Sequence, residues 1–228
     1  MTYDLVLFDV DDTLLDFGKA RDHALEQCLA RFAPDATHAE MTTRFHVINV
    51  QLWRELEQGR ATKDEVLTGR FTRLFREFGV VAGAADANDH FLDMLAADAF
   101  LLRGAVELVT FLKHRVPLGI VSNGHGPTQR KRLARAGLVD AFAFALISDE
   151  VGAAKPHPLI FQRALEAAGL APGARVLMIG DNLEADIGGA RGAGFDTCWV
   201  STNPLPAGTP APTFVAKNLA EVQAWVSI

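Results

Sequence analysis

Only two cysteines occur in the 228 residues, Cys28 and Cys198, and they lie far apart. That spacing fits neither a thiolate metal site nor a redox pair, so a reduced, cytoplasmic setting is the expectation. Cys28 falls on an apolar helical stripe and Cys198 in the strand-like "DTCWVS", and both are expected as buried spectators. Positive charge is also scarce: 22 Lys and Arg stand against 28 Asp and Glu, a net charge of −6. This excludes the electrostatic footprint of a protein that binds nucleic-acid polymers. The one basic cluster, "RKRLAR" from Arg130 to Arg135, is read as the solvated face of a helix. No apolar run approaches the length of a membrane-spanning helix, so no membrane is expected as a partner. The opening "MTYDLVLFDV" lacks a basic leader and a cleavage site, and the chain is expected to be mature as written. No internal repeat or low-complexity tract is found, although "NPLPAGTPAPT", Asn203 to Thr213, is a Pro-rich surface loop.

What is present is a foldable amount of apolar material. Hydrophobic residues at 49% and charged residues at 22% are values of a globular chain, long enough to bury a sizeable core. Four short runs, "LVLFDV", "LGIVSN", "VLMIGD" and "DTCWVS", are almost continuously apolar, as strands covered on both faces of a parallel sheet must be. A fifth is placed around Phe144 to Ile147. Between them lie helical patterns that end in glycine, such as "PLIFQRALEAAG", with Pro158 near its start and Gly169 just past its end. The alternation gives an α/β class with a Rossmann-like parallel sheet.

One region breaks the alternation. From about Lys19 to Ala99 there are helical periods and no strand. Ala20, Ala24, Cys28 and Phe32 make one stripe, and Phe45, Ile48, Leu52 and Leu56 another. A third helix opens with the capping box "TKDE" from Thr62 to Glu65 and carries Val66, Leu67, Phe71, Leu74 and Phe78 before Gly79. A fourth is expected in "HFLDMLAAD". The expected organisation is therefore a core of residues 1–18 and 100–228 with an inserted helical domain of residues 19–99.

The polar residues gather where strands end. In an open parallel sheet, ligands bind outside the carboxyl ends of the strands. Asp9, Asp11 and Asp12 follow the first strand, Ser122 and Asn123 the second, and Asp181 a third, with Asp186 nearby; Lys155 stands in "GAAKPHP", a loop leading into a helix. Carboxylates this close repel one another, which calls for a cation among them, and a divalent metal is the natural candidate. Carboxylate oxygens suit Mg2+, which commonly shares substrate phosphate oxygens with the protein. A lysine and a serine hydroxyl would neutralise and orient a transferring phosphoryl group. One aspartate can act as nucleophile, forming an aspartyl phosphate, while a second, two residues on, protonates the leaving oxygen and later activates water.

In this order, "DVDDTL", "VSNG", "AKP" and "GDNLEAD" look like the four motifs of the haloacid dehalogenase (HAD) superfamily, over nearly the whole chain. The resemblance implies Asp9 as nucleophile, Asp11 as general acid and base, Ser122 as phosphate ligand, and Lys155 as the charge-stabilising lysine. It implies Mg2+ on the Asp9 and Asp181 side chains and the Asp11 carbonyl, with Asp186 in support. It also implies that the helical insert is a mobile cap. Dehalogenases of this superfamily generally lack an aspartate two residues after the nucleophile, so Asp11 favours phosphoryl transfer. Asn123 suits either phosphate binding or shaping of the turn beside Gly124.

The stretches "VQLWRELEQGRATKDEVLTGRF" and "ISDEVGAAKPHPLIF", with "TCWVS" later, resemble the pyrimidine 5′-nucleotidase branch. This implies a small-molecule phosphate ester as partner, a pyrimidine (deoxy)nucleoside monophosphate, with phosphoglycolate or a sugar phosphate as the alternative. Asn49, Trp53 and Arg70 are the residues expected to meet the leaving group, Trp53 by stacking and Arg70 through polar edges or phosphate. Trp53 also suits packing beside Leu52, and Arg70 a solvated position. A non-hydrolytic, receiver-like module phosphorylated on an aspartate is the alternative from another class; Asp11, Asp186 and the insert argue against it. Nothing in the sequence fixes an oligomeric state.

Overall fold

Leu5, Val6, Leu7 and Phe8 form the first strand, β1 (Leu5–Phe8), with all four side chains buried. Successive strand side chains point to opposite faces. Leu5 and Leu7 accordingly join one apolar cluster with Val121, Phe161 and Met178, while Val6 and Phe8 join another with Leu14, Leu112, Ile120 and Ile179. Burial of each such side chain contributes about 1.5–3 kcal/mol. A strand covered on both faces belongs inside a sheet. In the computed structural model, which describes residues 3–227, β1 pairs in parallel with β2 (Leu118–Ser122) and with β4 (Val176–Gly180).

With β3 (Phe144–Ile147), β5 (Asp196–Val200) and β6 (Phe214–Ala216), the sheet among the described residues has six strands in the order β3-β2-β1-β4-β5-β6, all parallel. Helices α5 (Ala105–Lys113), α6 (Gly126–Arg135), the one-turn α7 (Ser148–Val151) and α8 (Pro158–Ala167) lie between successive strands in the chain. This is the α/β class with a Rossmann-like parallel sheet that the sequence pattern predicts. The strand order reverses direction at β1, whose two neighbours are reached by connections running to opposite sides. A crevice opens at the carboxyl ends of strands at such a switch point.

The described chain divides into two compact units, Met1–Phe17 with Ala99–Ile228, and Gly18–Asp98. The second is helical: α1 (Phe17–Phe32) enters it, followed by α2 (His38–Glu57), α3 (Lys63–Phe78) and α4 (Ala84–Ala97). The stripes read from the sequence face inward, with Ala20, Ala24, Cys28, Phe45, Ile48, Leu52, Val66, Phe71 and Leu74 buried, while Phe32, Leu56 and Phe78 at the helix ends are half-buried. At its centre the rings of Phe45, Phe71 and Phe91 meet in tilted and edge-on pairs, with centroids 5.3, 5.4 and 5.7 Å apart. Thr62 and Glu65 form the reciprocal capping box at the start of α3, and Gly79 takes the left-handed conformation at its end.

Strand β6 escapes the sequence pattern, and the fourth helix is found in its expected stretch but starts earlier. Strand β6 is only three residues long and follows the Pro-rich loop directly, too short for a period of two to register. Helix α4 begins at Ala84, before "HFLDMLAAD", because its first turns carry Asp86, Asn88 and Asp89, residues of low helical propensity. In the helical unit's core, Phe71 packs against the rings of Phe45, Phe75 and Phe91. Phe71→Ala is expected to destabilise the protein by about 3–5 kcal/mol in denaturant unfolding; a loss below about 1 kcal/mol would show that the ring cluster does not hold the unit together.

Candidate active site

β1 ends at Phe8, so the next residue, Asp9, leaves the sheet at its carboxyl edge while its N–H still donates to the Ile179 carbonyl of neighbouring β4 at 3.0 Å. The chain then turns sharply. Leu14 and Leu15 both donate to the Val10 carbonyl, and Asp12 adopts a positive φ of 56°. The Asp12 carboxylate accepts from the Phe17 N–H at 2.9 Å, capping the start of α1. Asp9 is buried and Asp11 half-buried.

Lys155 reaches Asp9 from the loop after β3. Its side chain is 2% exposed, and its ammonium donates to Asp9 Oδ1 at 2.6 Å and to the Val121 carbonyl at 2.7 Å and forms an ion pair with Asp186 Oδ1 at 2.6 Å. Asn123 holds the lysine backbone with both ends of its amide: Nδ2 donates to the Lys155 carbonyl at 2.8 Å, and Oδ1 accepts from the Lys155 N–H at 2.7 Å. This joins the end of β2 to the loop. Asn123 thus shapes the site through Lys155 as well as through its own turn.

The end of β4 supplies the other carboxylates. Asp181 follows Gly180, and its carbonyl accepts from the Trp199 indole N–H at 2.7 Å. Asn182 caps the amides of Glu184 and Ala185 at the start of a π-helical turn, Leu183–Gly188. That turn swings Asp186 back over the strand end, where its Oδ2 accepts from the Asn182 N–H at 3.0 Å. Gly180 must be glycine for this to happen, since a Cβ there would lie 2.2 Å from Asp186 Oδ2.

Oxygens of Asp9, Asp181 and Asp186 come within 4.8 Å of one another. The electrostatics follow from their crowding. Burial, opposed by Lys155 and assisted by Asp186 and Asp11, pushes the Asp9 carboxyl up to about 7. Burial, with Asp186, Asp9 and Asp12 adding to it, pushes Asp181 up to about 9. For Lys155, burial disfavours the charge, but Asp186 and Asp9 outweigh it and hold the ammonium above the ordinary lysine range. One buried cation serves three clustered carboxylates. An all-oxygen, carboxylate-rich set with negative charge in excess fits a hard divalent cation, and the triad has the composition to hold one.

The structure thus brings Asp9, Lys155, Asp181 and Asp186 together at the ends of β1 and β4, with Ser122, Asn123 and Asp11 at the ends of β2 and β1. Ser122 Oγ accepts from Gly124 N–H at 3.2 Å and from Gln129 Nε2 at 2.9 Å. Sequence reading missed two residues here. Gln129 and Arg132, both on α6, are buried, and Arg132 Nη1 donates to the Asp11 carboxylate. "RKRLAR" is therefore not wholly a solvated face: Arg130, Lys131 and Arg135 are exposed, and Arg132 turns inward. The spacing of Gln129 and Arg132, three apart on a helix that follows "VSNG", was the available signal. His125 bonds to Thr128, and His157 caps α8.

Asn49, Trp53 and Arg70 belong to the helical unit. Asn49 and Arg70 come together with Asn88: the Arg70 guanidinium, 2% exposed, donates to Asn88 Oδ1 at 2.7 and 3.1 Å and approaches Asn49 Oδ1 at 3.5 Å. Its Cζ lies 4.5 Å from the Phe91 ring centroid. Burial lowers its pKa to about 9. The solvated position that a lone arginine suggests is thus not the one it takes. Trp53 stands apart from this cluster, half-buried, with the Lys63 ammonium 4.4 Å from its ring centroid.

Comparison with known proteins agrees with this geometry. Residues 3–194 match the haloacid dehalogenase-like hydrolase family. The chain is 35% identical over 225 residues to the pyrimidine 5′-nucleotidase YjjG of Escherichia coli (strain K12), spanning 98% of this chain and 97% of that one. It is 36% identical over 218 residues to the pyrimidine 5′-nucleotidase PynA of Streptococcus pneumoniae, spanning 94% and 91%. The crystal structure of the HAD-hydrolase YfnB from Bacillus subtilis bound to magnesium aligns over 100% of both chains, with a TM-score of 0.89 and 35% identity. Among the described residues, no helix is long and apolar enough to cross a membrane. With its acidic strand ends, its buried lysine and this similarity over nearly its full length, the chain belongs to the haloacid dehalogenase-like hydrolase family.

Proposed function

We propose that the protein is a Mg2+-dependent phosphomonoester hydrolase that forms an aspartyl phosphate on Asp9 and acts on pyrimidine nucleoside 5′-monophosphates. The observation that carries the reaction type is the placement of Asp9 Oδ1 2.6 Å from the buried Lys155 ammonium, at the open end of β1, with Asp11 two residues on. A carboxylate so placed is oriented for attack on a phosphorus atom whose oxygens the lysine can neutralise.

In the first half-reaction an Asp9 carboxylate oxygen attacks phosphorus. Its O–P bond forms as the ester P–O bond breaks, and the electron pair stays on the leaving oxygen, which takes a proton from the Asp11 carboxyl. In the second, a water oxygen bonds to phosphorus as the Asp9 O–P bond breaks, and Asp11 receives the water proton. Both carboxyls then return to their starting states, with alcohol and phosphate released. Ser122 Oγ accepts from two N–H groups, which leaves its own proton to donate to a phosphoryl oxygen. Asp9, Asp181 and the Asp11 carbonyl, with Asp186 in support, would hold Mg2+, which would supply further positive charge for those oxygens.

The nucleotide preference rests on similarity to YjjG and PynA, which span nearly the whole chain, helical unit included. Trp53 is the proposed stacking surface for a base. Asn49 and Arg70 are the proposed polar contacts, and because both are buried such contacts require the leaving group to reach into the helical unit.

Two measurements test the proposal. Phosphate release from a panel of pyrimidine and purine monophosphates, phosphoglycolate and sugar phosphates is expected to favour the pyrimidine nucleotides and to vanish in EDTA. A preference for another ester would discard the substrate but keep the chemistry, and release undiminished by EDTA would remove the metal. The second concerns stability. In metal-free protein, folded Asp9 and Asp181 hold protons to about pH 7 and about pH 9, whereas the unfolded chain releases them near the ordinary carboxylate value of 3.8. The folded state binds more protons across this interval, so their contribution to stability falls as pH rises through it. The melting temperature in EDTA is expected to drop between about pH 5 and about pH 9, and Mg2+ to raise it more at the upper end. A Mg2+ effect that is equal at both ends would contradict the assignment of these carboxylates.

A further inference from the structure

Helix α6 presents a buried pair of side chains to Asp11 that the hydrolase reading does not require. Arg132 and Gln129 are each 1% exposed. Three positions apart, they project from one face of the helix. Arg132 Nη1 donates to Asp11 Oδ1 and, at 2.9 Å, to Gln129 Oε1. Gln129 Nε2 donates to Asp11 Oδ2 at 2.8 Å and to Ser122 Oγ at 2.9 Å. Each oxygen of the Asp11 carboxylate is therefore met by a donor from the same helix, which fixes the group in rotation as well as in position.

The network has an order. By donating to Gln129 Oε1, Arg132 decides which way the glutamine amide faces, so that its NH2 points to Asp11 and Ser122 together. The Phe17 ring lies 5.8 Å from the guanidinium carbon and limits its freedom. Gly124 leaves the room: a Cβ there would lie 2.5 Å from Gln129 Cγ and Nε2. A buried guanidinium is costly to place unless it is paired and hydrogen-bonded. Here its charge is spent on the half-buried Asp11, at the edge where the sheet opens. A helix that needed only packing at these positions would be served by apolar side chains.

We infer that Arg132 and Gln129 are positioning residues for proton transfer by Asp11, holding its carboxylate, and through Gln129 the Ser122 hydroxyl, in register with the nucleophile. The inference rests on the proposed role of Asp11 as general acid and base. Its consequence is selective. An alkyl phosphate, such as a nucleoside monophosphate, has a leaving oxygen that must be protonated as the P–O bond breaks, whereas p-nitrophenolate leaves without a proton. Loss of Asp11 positioning should weaken transfer from the first far more than from the second, while a general loss of structure would weaken both alike.

The test compares kcat/KM, which reports the steps up to formation of the Asp9 phosphate, for p-nitrophenyl phosphate and for a nucleoside 5′-monophosphate at saturating Mg2+. Arg132→Ala and Gln129→Ala are expected to lower the nucleotide value at least about tenfold more than the p-nitrophenyl value, within the range general acid–base groups contribute. Arg132→Lys, which keeps charge but not the planar fork, should recover part of the difference. Asp11→Asn is the control and should show the same selectivity in larger degree. If Arg132→Ala does not fold by circular dichroism, Gln129→Ala carries the comparison alone. Equal losses on both esters in folded variants, with selectivity retained by Asp11→Asn, would overturn the positioning role. Absence of selectivity in Asp11→Asn itself would instead overturn the acid–base role on which it rests.

Discussion

Lys155 Nζ lies 2.6 Å from Asp9 Oδ1 and 2.6 Å from Asp186 Oδ1, buried with both of them, and the geometry of the acidic sheet edge follows from that triangle. Burying an ion pair is no assured gain in stability, because the cost of removing the charges from water can match their attraction. What the triangle secures is position. The ends of β1 and β4 and the loop after β3 contribute one member each, so the three cannot meet unless the sheet has formed with its strands in the observed order. The surrounding devices all serve it: the Asn123 amide that clamps the lysine backbone, the missing Cβ at Gly180, and the π-helical turn that returns Asp186 over the strand end. Each depends on local sequence, and none would have a purpose if Lys155 stood elsewhere.

A division of labour runs through the chain. Around the sheet, polar side chains at the strand ends are committed to one another: Lys155 to Asp9 and Asp186, Asn123 to the Lys155 backbone, and Gln129 to Asp11 and Ser122. The helical unit is built on different terms. Its centre is a set of phenylalanine rings around one buried guanidinium, Arg70, whose hydrogen-bond partners are the neutral amides of Asn88 and Asn49 and not carboxylates. Burial of that charge lowers its pKa to about 9, in contrast to Lys155, whose charge is reinforced by two anions. The same physical situation, a buried cation, is resolved with countercharge where phosphate chemistry is proposed and with amides and aromatic faces where substrate selection is proposed.

Much of the fold was legible because its signals are local and periodic. β1, β2, β4 and β5 are continuous apolar runs, and their identity as interior strands follows from that alone; the capping box at Thr62 and Glu65 needs only four residues to declare itself. The strand-end aspartates, Ser122 and Lys155 were legible because chemistry of one kind recurs at successive strand ends. Arg132 was not, because a basic run on a helix is read by composition as solvated, and nothing in "RKRLAR" marks which of its cations faces inward. The direction becomes clear only when α6 is laid beside the Asp11 turn after β1, a segment more than a hundred residues earlier in the chain. Asn123 was ambiguous for a like reason: its partner is the backbone of Lys155, and a backbone partner leaves no trace in the sequence. Strand β6 was too short to have a period.

The claim on which the rest depends is that Asp9 carries the phosphoryl group. Mixing the protein with substrate and Mg2+, quenching during turnover, reducing with borohydride and sequencing the peptides by mass spectrometry tests it directly, since borohydride converts an acyl phosphate to an alcohol. The expected result is conversion of the aspartate at position 9 to homoserine, dependent on both substrate and Mg2+. Turnover with no conversion at position 9, or conversion at another aspartate, would contradict it.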